Sequence, residues 1–110
     1  MKEIIWDLAA KKTVRSFSRE VKKELGALLL VLQKGELLGM PQSKPMRMVH
    51  KSAFELRVKD HSGIYRVFYV LFQKDKVLIP HAFSKKTQKT PKKEIETAKK
   101  RLRRLVDENQ

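Results

Sequence analysis

At 110 residues and 41% hydrophobic content, the chain is long enough for one domain with a modest core and too apolar to be disordered throughout. Twenty-six Lys and Arg against 12 Asp and Glu leave a net charge of +14, which repels itself in the folded state and calls for an acidic partner: nucleic acid first, an anionic membrane or acidic protein next, with a merely soluble basic surface as the plain alternative. The lack of cysteine excludes disulfides and thiolate metal sites, and no apolar run approaches the roughly 20 residues of a membrane helix or forms the core of a signal peptide, so the expected location is the cytoplasm.

No repeat and no Gly/Ser/Pro-rich linker divides the chain, so residues 1–110 read as a single domain. Glu3 to Leu8 reads as a short first strand anchored by Trp6. Phe17, Val21, Leu25, Leu28 and Leu32 recur at helical spacing, which predicts an amphipathic helix from about Ser18 to Gln33, capped by Ser16 or Ser18 and ended by Gly35. Gly26, inside that helix, costs roughly 1 kcal/mol relative to Ala and implies either a close backbone contact or a weak spot. Gly39 to Lys51, with Pro41 and Pro45, reads as a loop.

Three strands follow. Phe54–Lys59 alternates apolar and charged residues, Asp60-His-Ser-Gly63 is a turn, and Ile64–Phe72 is almost continuously apolar, as in a central strand. Lys74-Asp75 connects tightly to Val77–Phe83, where Pro80 cannot donate to a ladder and forces one irregular position. Thr90-Pro91 then starts a helix, with the hydroxyl as cap, proline at the first position, and an apolar stripe of Ile95, Ala98, Leu102, Leu105 and Val106. The expected fold is α+β: an N-terminal helix packed on a three- to four-stranded, mainly antiparallel sheet, followed by a basic C-terminal helix.

Ser84 to Arg104 holds ten basic and two acidic residues, and Lys85, Lys86 and Lys89 sit where a strand opens toward a helix N-terminus. Cations grouped there form a phosphate grip, because the lysines add charge and a helix end adds free N–H donors. Arg66 is the lone charge in the central strand. It either pairs with Glu55 on the neighbouring strand or points into a cleft to hold a phosphate in bidentate fashion. Arg57 adds a second guanidinium, or is simply an exposed residue on a polar face. Strand alternation puts Tyr65 and Tyr69 on the face opposite Arg66 unless a bulge intervenes. His81, at the mouth of the lysine cluster, is the most natural proton-transfer group, against the plainer reading of a hydrogen-bonding surface histidine; Phe83 is core or a stacking platform. The three histidines lack metal-ligand spacing, and there is no Gly-rich phosphate loop, nucleophile elbow or patterned carboxylate pair. What remains is a site lined by arginine and lysine, suited to phosphodiester chemistry without metal or cofactor.

Phe54-Glu-Leu-Arg57, Gly63-Ile-Tyr-Arg-Val-Phe-Tyr69 and His81-Ala-Phe-Ser-Lys-Lys-Thr-Gln-Lys-Thr-Pro-Lys-Lys-Glu-Ile95, with Ala98 beyond, together resemble the phage-derived, HigB-type branch of the RelE/ParE toxin superfamily. The resemblance covers nearly the whole chain. It implies a toxin of a type II toxin–antitoxin pair, a ribosome-dependent endoribonuclease that cuts mRNA in the ribosomal A site through attack of the RNA's own 2′-hydroxyl. It implies that Arg66 grips the scissile phosphate and that Arg57 and the lysines after the last strand form the family's basic rim. Within that rim Lys85 and Lys86, nearest the strand end, are expected to contact mRNA near the cut, with Lys85 among the catalytic residues, and Lys89, Lys92 and Lys93 to bind RNA beyond it, where the ribosome's own RNA lies. Tyr69 and His81 stand as alternatives for the acid–base group, and the tyrosine some relatives carry in the C-terminal tail is missing here. The implied partners are the ribosome, mRNA and a helix-turn-helix, HigA-type antitoxin that carries the pair to operator DNA. A ParE-like gyrase inhibitor, a non-toxic basic nucleic-acid-binding phage protein and an inactive relic are the competing readings.

Overall fold

The chain runs β1 (Glu3–Trp6), α1 (Leu8–Arg15), α2 (Arg19–Gln33), β2 (Ser43–Pro45), β3 (Ala53–Asp60), β4 (Gly63–Phe72), β5 (Lys76–Lys85) and α3 (Lys92–Asn109). The computed structural model describes residues 1–86 and 88–110; Thr87, inside the lysine-rich motif, lies outside the described residues. The five strands form one sheet in the order β1-β5-β4-β3-β2. All neighbours are antiparallel except β1 and β5, which pair in parallel from Glu3↔Lys76 to Trp6↔Ile79. No helix among the described residues is long and apolar enough to cross a membrane.

Both sheet faces are covered, which explains the unbroken apolar run of β4. One face packs Leu56, Val58, Val67, Tyr69, Val77, Ile79 and Ala82 against Ala10 of α1 and Val21, Leu25, Leu29 and Leu32 of α2. The other packs Phe68, Val70, Leu78 and Phe83 against Ile95, Ala98, Leu102 and Leu105 of α3. A strand buried on two sides has no polar face to present, so its sequence does not alternate.

The α+β class and the C-terminal basic helix are as expected, with three differences in detail. The sheet has five strands rather than three or four, because Ser43–Pro45 in the proline-containing stretch pairs with Phe54–Leu56. A separate helix, α1, precedes the expected one; Asp7 caps it by accepting a hydrogen bond from the Ala10 N–H at 3.0 Å. Thr90 is not the cap of α3. Pro91 holds that position without a side-chain cap bond, and the Thr90 hydroxyl donates instead to Glu55 Oε2 at 2.7 Å.

Helix α2 begins at Ser18, whose hydroxyl accepts from the Val21 N–H at 3.3 Å. It ends in a Schellman turn: Glu36 N–H reaches Val31 O at 3.2 Å, Gly35 N–H reaches Leu32 O at 3.0 Å, and Gly35 sits at φ +86°, where a Cβ would be strained. Gly26 faces open space: a Cβ added there would meet nothing within 4 Å, so it is the weak spot rather than a close contact.

Pro80 marks a bulge. Phe68 pairs with His81 and Val70 with Leu78, so Ile79 and Pro80 together oppose Tyr69. The extra residue shifts the alternation of β5. Val77 and Ile79 face α1 and α2, yet Ala82 also faces that side, and Phe83 is sent to the α3 side.

Candidate nucleic-acid interface

The register of β3 and β4 sets Arg57 directly opposite Arg66. Like charges so placed repel, and a buried guanidinium needs partners. Glu55, two residues before Arg57 and therefore on the same face, supplies the counter-charge. Its side chain is fully buried, with Oε1 accepting from Arg57 Nε and Oε2 from Thr90. Arg66 is also fully buried. Its guanidinium donates to Gln88 O at 2.9 Å and Lys89 O at 3.2 Å. Arg57 donates to the same Gln88 carbonyl at 2.8 Å. Two guanidiniums thus converge on one oxygen, in a cluster of two cations and one carboxylate. Burial pulls the Arg66 pKa below its ordinary value and Arg57 adds to the fall, while Glu55 opposes it; a guanidinium remains protonated regardless.

The Phe83 ring lies on the other flank of Arg66, its centroid 5.6 Å from the guanidinium carbon, and stacks on His81 at 5.5 Å. His81 shares the face of Arg66 but is one aromatic ring away. Its surroundings are closed: Nε2 lies 2.8 Å from Glu94 Oε1, and Nδ1 lies 3.0 Å from Arg101. Arginine only donates, so Nδ1 accepts and the ring proton sits on Nε2, pointing at Glu94. Burial is the main cause that lowers the His81 pKa; the Glu94 hydrogen bond opposes it, and Arg101 adds to the fall. Arg101 continues to Asp7 at 3.6 Å, and Arg104 binds the same carboxylate. Together these residues form a polar seam that docks α3 onto β5 and the start of α1. Sequence reasoning missed Asp7, Glu94 and Arg101. The available signals were Asp7 as a cap before Leu8 and Glu94 as an acid in the first turn of a basic helix.

The structure therefore brings Arg57 and Arg66 together and sets Lys85 nearby, 3.7 Å from Glu94 and partly exposed. Lys86, Lys89, Lys92 and Lys93 are exposed around them. A depression of about 300 Å³ adjoins through Gln88, lined also by Lys59, Ser62 and Lys86. Tyr69 is not part of this group. It lies on the opposite face, almost fully buried, stacked on Phe54 and bonded to the Ser43 hydroxyl at 2.6 Å. Burial raises its pKa, against a smaller opposite effect of Ser43. Alternation of β4 keeps Tyr69 away from Arg66, as strand parity predicts, and the bulge lies on β5 and leaves it there. His81 is likewise held by partners at both ring nitrogens rather than open at the mouth of the lysine cluster.

A profile for Phage derived protein Gp49-like (DUF891) matches residues 12–103. The chain belongs to this family. The Gp49-like proteins are a RelE/HigB-like toxin family, so the superfamily resemblance of the three motifs holds. Among solved structures, the isolated E. coli RelE toxin is similar in fold: the TM-score is 0.50 at 18% identity, over 91% of this chain and 98% of that one. No curated protein matches the sequence.

Proposed function

We propose that this chain is the toxin of a type II toxin–antitoxin pair and acts as a ribosome-dependent endoribonuclease on mRNA. One observation carries the reading: two guanidiniums converge on a single oxygen position at the edge of a lysine-rich surface. Such a position stabilises the extra negative charge that develops on a phosphorus under attack. In the proposed reaction the RNA 2′-hydroxyl gives its proton to solvent as its oxygen attacks the adjacent phosphorus, and the 5′-oxygen leaves with a proton, giving a 2′,3′-cyclic phosphate and a 5′-hydroxyl. Arg57 and Arg66 hold the non-bridging oxygens. Of the four side chains expected to do chemistry, Arg66, Tyr69 and His81 are buried and the Lys85 side chain is partly exposed, so Lys85 is assigned the proton that the 5′-oxygen takes up. Tyr69 and His81 are assigned structural roles. Lys86, Lys89, Lys92 and Lys93 hold RNA through its backbone. The working place is the ribosomal A site in the cytoplasm. The restraining partner is a HigA-type, helix-turn-helix antitoxin, through which the pair reaches operator DNA.

The test is to induce the chain alone in bacteria and map mRNA 5′ ends against the reading frame. Frame-phased ends and growth arrest, both lost with Arg66→Ala, are expected. Arrest with trapped DNA breaks and intact transcripts would replace the reading with gyrase poisoning. Harmless expression would replace it with a binding protein or a relic.

A further inference from the structure

The oxygen on which Arg57 and Arg66 converge belongs to the chain itself. Gln88 O accepts from Arg57 at 2.8 Å and from Arg66 at 2.9 Å, Lys89 O accepts from Arg66 at 3.2 Å, and Thr90 is tied to buried Glu55 at 2.7 Å. A second, weaker contact joins Arg57 to the Gln88 side-chain oxygen at 3.4 Å. Gln88 to Thr90 therefore lies as a strap across the guanidinium pair, and Arg66 has no exposed surface beneath it. We infer that the strap is an autoinhibitory stand-in for substrate: the Gln88 carbonyl occupies the place of a phosphodiester oxygen, and RNA binds by displacing it. This rests on the phosphodiester reading above and adds its regulation.

The physical case is one of unequal partners. A carbonyl is neutral, so two cations sharing it lack the Coulomb attraction that the full negative charge of a phosphate adds to the same hydrogen bonds. Among the described residues the cluster sets two guanidiniums beside one carboxylate, so a phosphate adds a second negative charge where two cations already meet. The strap is short, and the Gln88 and Lys89 side chains are already exposed, so lifting it draws neither of them out of the core. Glu55 remains below to keep Arg57 in place. Thr90 acts as the catch: its hydroxyl bond to Glu55 exists only with the strap down. With the strap up, water from the neighbouring depression can reach the freed carboxylate oxygen. The bonds above hold the strap closed, and a phosphodiester taking the place of its carbonyls tips the balance. The apparent affinity for RNA is lowered by the fraction of molecules that are closed.

The probe is a short single-stranded oligoribonucleotide made uncleavable by 2′-O-methylation, titrated against full-length protein by fluorescence anisotropy. Hydrogen exchange of the Gln88–Thr90 amides is read in parallel by NMR. Thr90→Val, which keeps the shape and removes the catch, should bind about three- to tenfold more tightly than wild type, the factor expected when the closed state alone loses one buried hydrogen bond. Thr90→Ser, which retains the hydroxyl, should restore wild-type affinity. Adding the oligonucleotide to wild type should speed exchange in the strap. If Thr90→Val folds and binds no more tightly, or if exchange in the strap is unchanged or slowed at saturating RNA, the inference is overturned while the nuclease reading stands. Strap release without mRNA cleavage in cells would overturn the nuclease reading and leave the inference standing. No binding by either form would overturn the inference, while the ribosome-dependent reading is decided by the cleavage map in cells.

Discussion

Replacing Glu55 by Gln keeps the shape of the side chain and removes the charge that holds two opposed arginines together. Glu55 is wholly buried, bonded to Arg57 and Thr90, and acts on Arg66 through space. Removing one partner of a buried ion pair costs about 3–5 kcal/mol, because the other charge is left uncompensated. Two features lower the cost here. The glutamine amide can still bond Thr90, and the Arg57 side chain is 14% exposed and thus partly solvated. The expected loss is about 2–3 kcal/mol, a large share of the roughly 5–15 kcal/mol that a domain of this kind possesses. For a domain of this size that lowers Tm by about 10 °C. Urea and thermal unfolding followed by circular dichroism measure it. Because the repulsion acts between buried or half-buried groups, added salt should recover little of the loss. The double variant Glu55→Gln/Arg57→Met, which removes the repulsion as well, should be less damaged than the sum of its parts. A loss under about 0.5 kcal/mol, or full recovery in salt, would show that the carboxylate behaves as a surface ion pair and that the reasoning about the cluster is wrong.

Three further outcomes are expected. Burial holds the His81 pKa below its ordinary value in the folded state, so on acidification the unfolded chain takes up a proton before the folded chain does; stability is then full above about pH 6.5 and falls as pH drops toward the folded pKa. Urea midpoints at pH 7.5 and 5.5 measure this, and His81→Gln should flatten the difference; equal wild-type midpoints would contradict the assignment of a neutral ring. Gly26→Ala, on an open helix surface, should stabilise by about 0.5–1 kcal/mol, and a variant no more stable than wild type in thermal unfolding would count against the open-surface account. Lys85→Ala should impair mRNA cleavage while ribosome binding survives, whereas Lys92→Ala with Lys93→Ala should weaken ribosome binding and reduce its salt dependence; the reverse pattern in co-sedimentation and cleavage assays would invert the two roles.

Local pattern was enough for much of this. The helical period from Val21 to Leu32, the stripe from Ile95 to Leu105, and the three antiparallel strands were legible because neighbours in sequence set them. An isolated arginine in an apolar strand announced a cation in need of a partner, either Glu55 or a phosphate in a cleft, and Pro80 announced an irregularity, since a missing N–H is a property of the residue itself. Helix α1 was not legible: Ala10 is its one buried residue, and its stability comes from the Asp7 cap and from packing on β5 rather than from a stripe. Neither was β2, three residues long and defined solely by its neighbour. The parallel pairing of β1 with β5 joins segments some seventy residues apart, which no local signal encodes.

The site divides in the same way. Composition and spacing identified Arg57, Arg66 and the lysines as one basic group, because charge and strand parity are written into the residues. What each cation touches was decided only by the assembled fold. The bulge at Pro80 changes which face the end of β5 presents and so brings His81 and Phe83 under α3. The antiparallel register places Glu55 and Arg57 across from β4, and the segment that leads into α3 carries Gln88, Lys89 and Thr90 back over them. A sequence specifies which charges must be buried or balanced; the partners that balance them come from strands and turns distant in the chain, and only tertiary contact selects them.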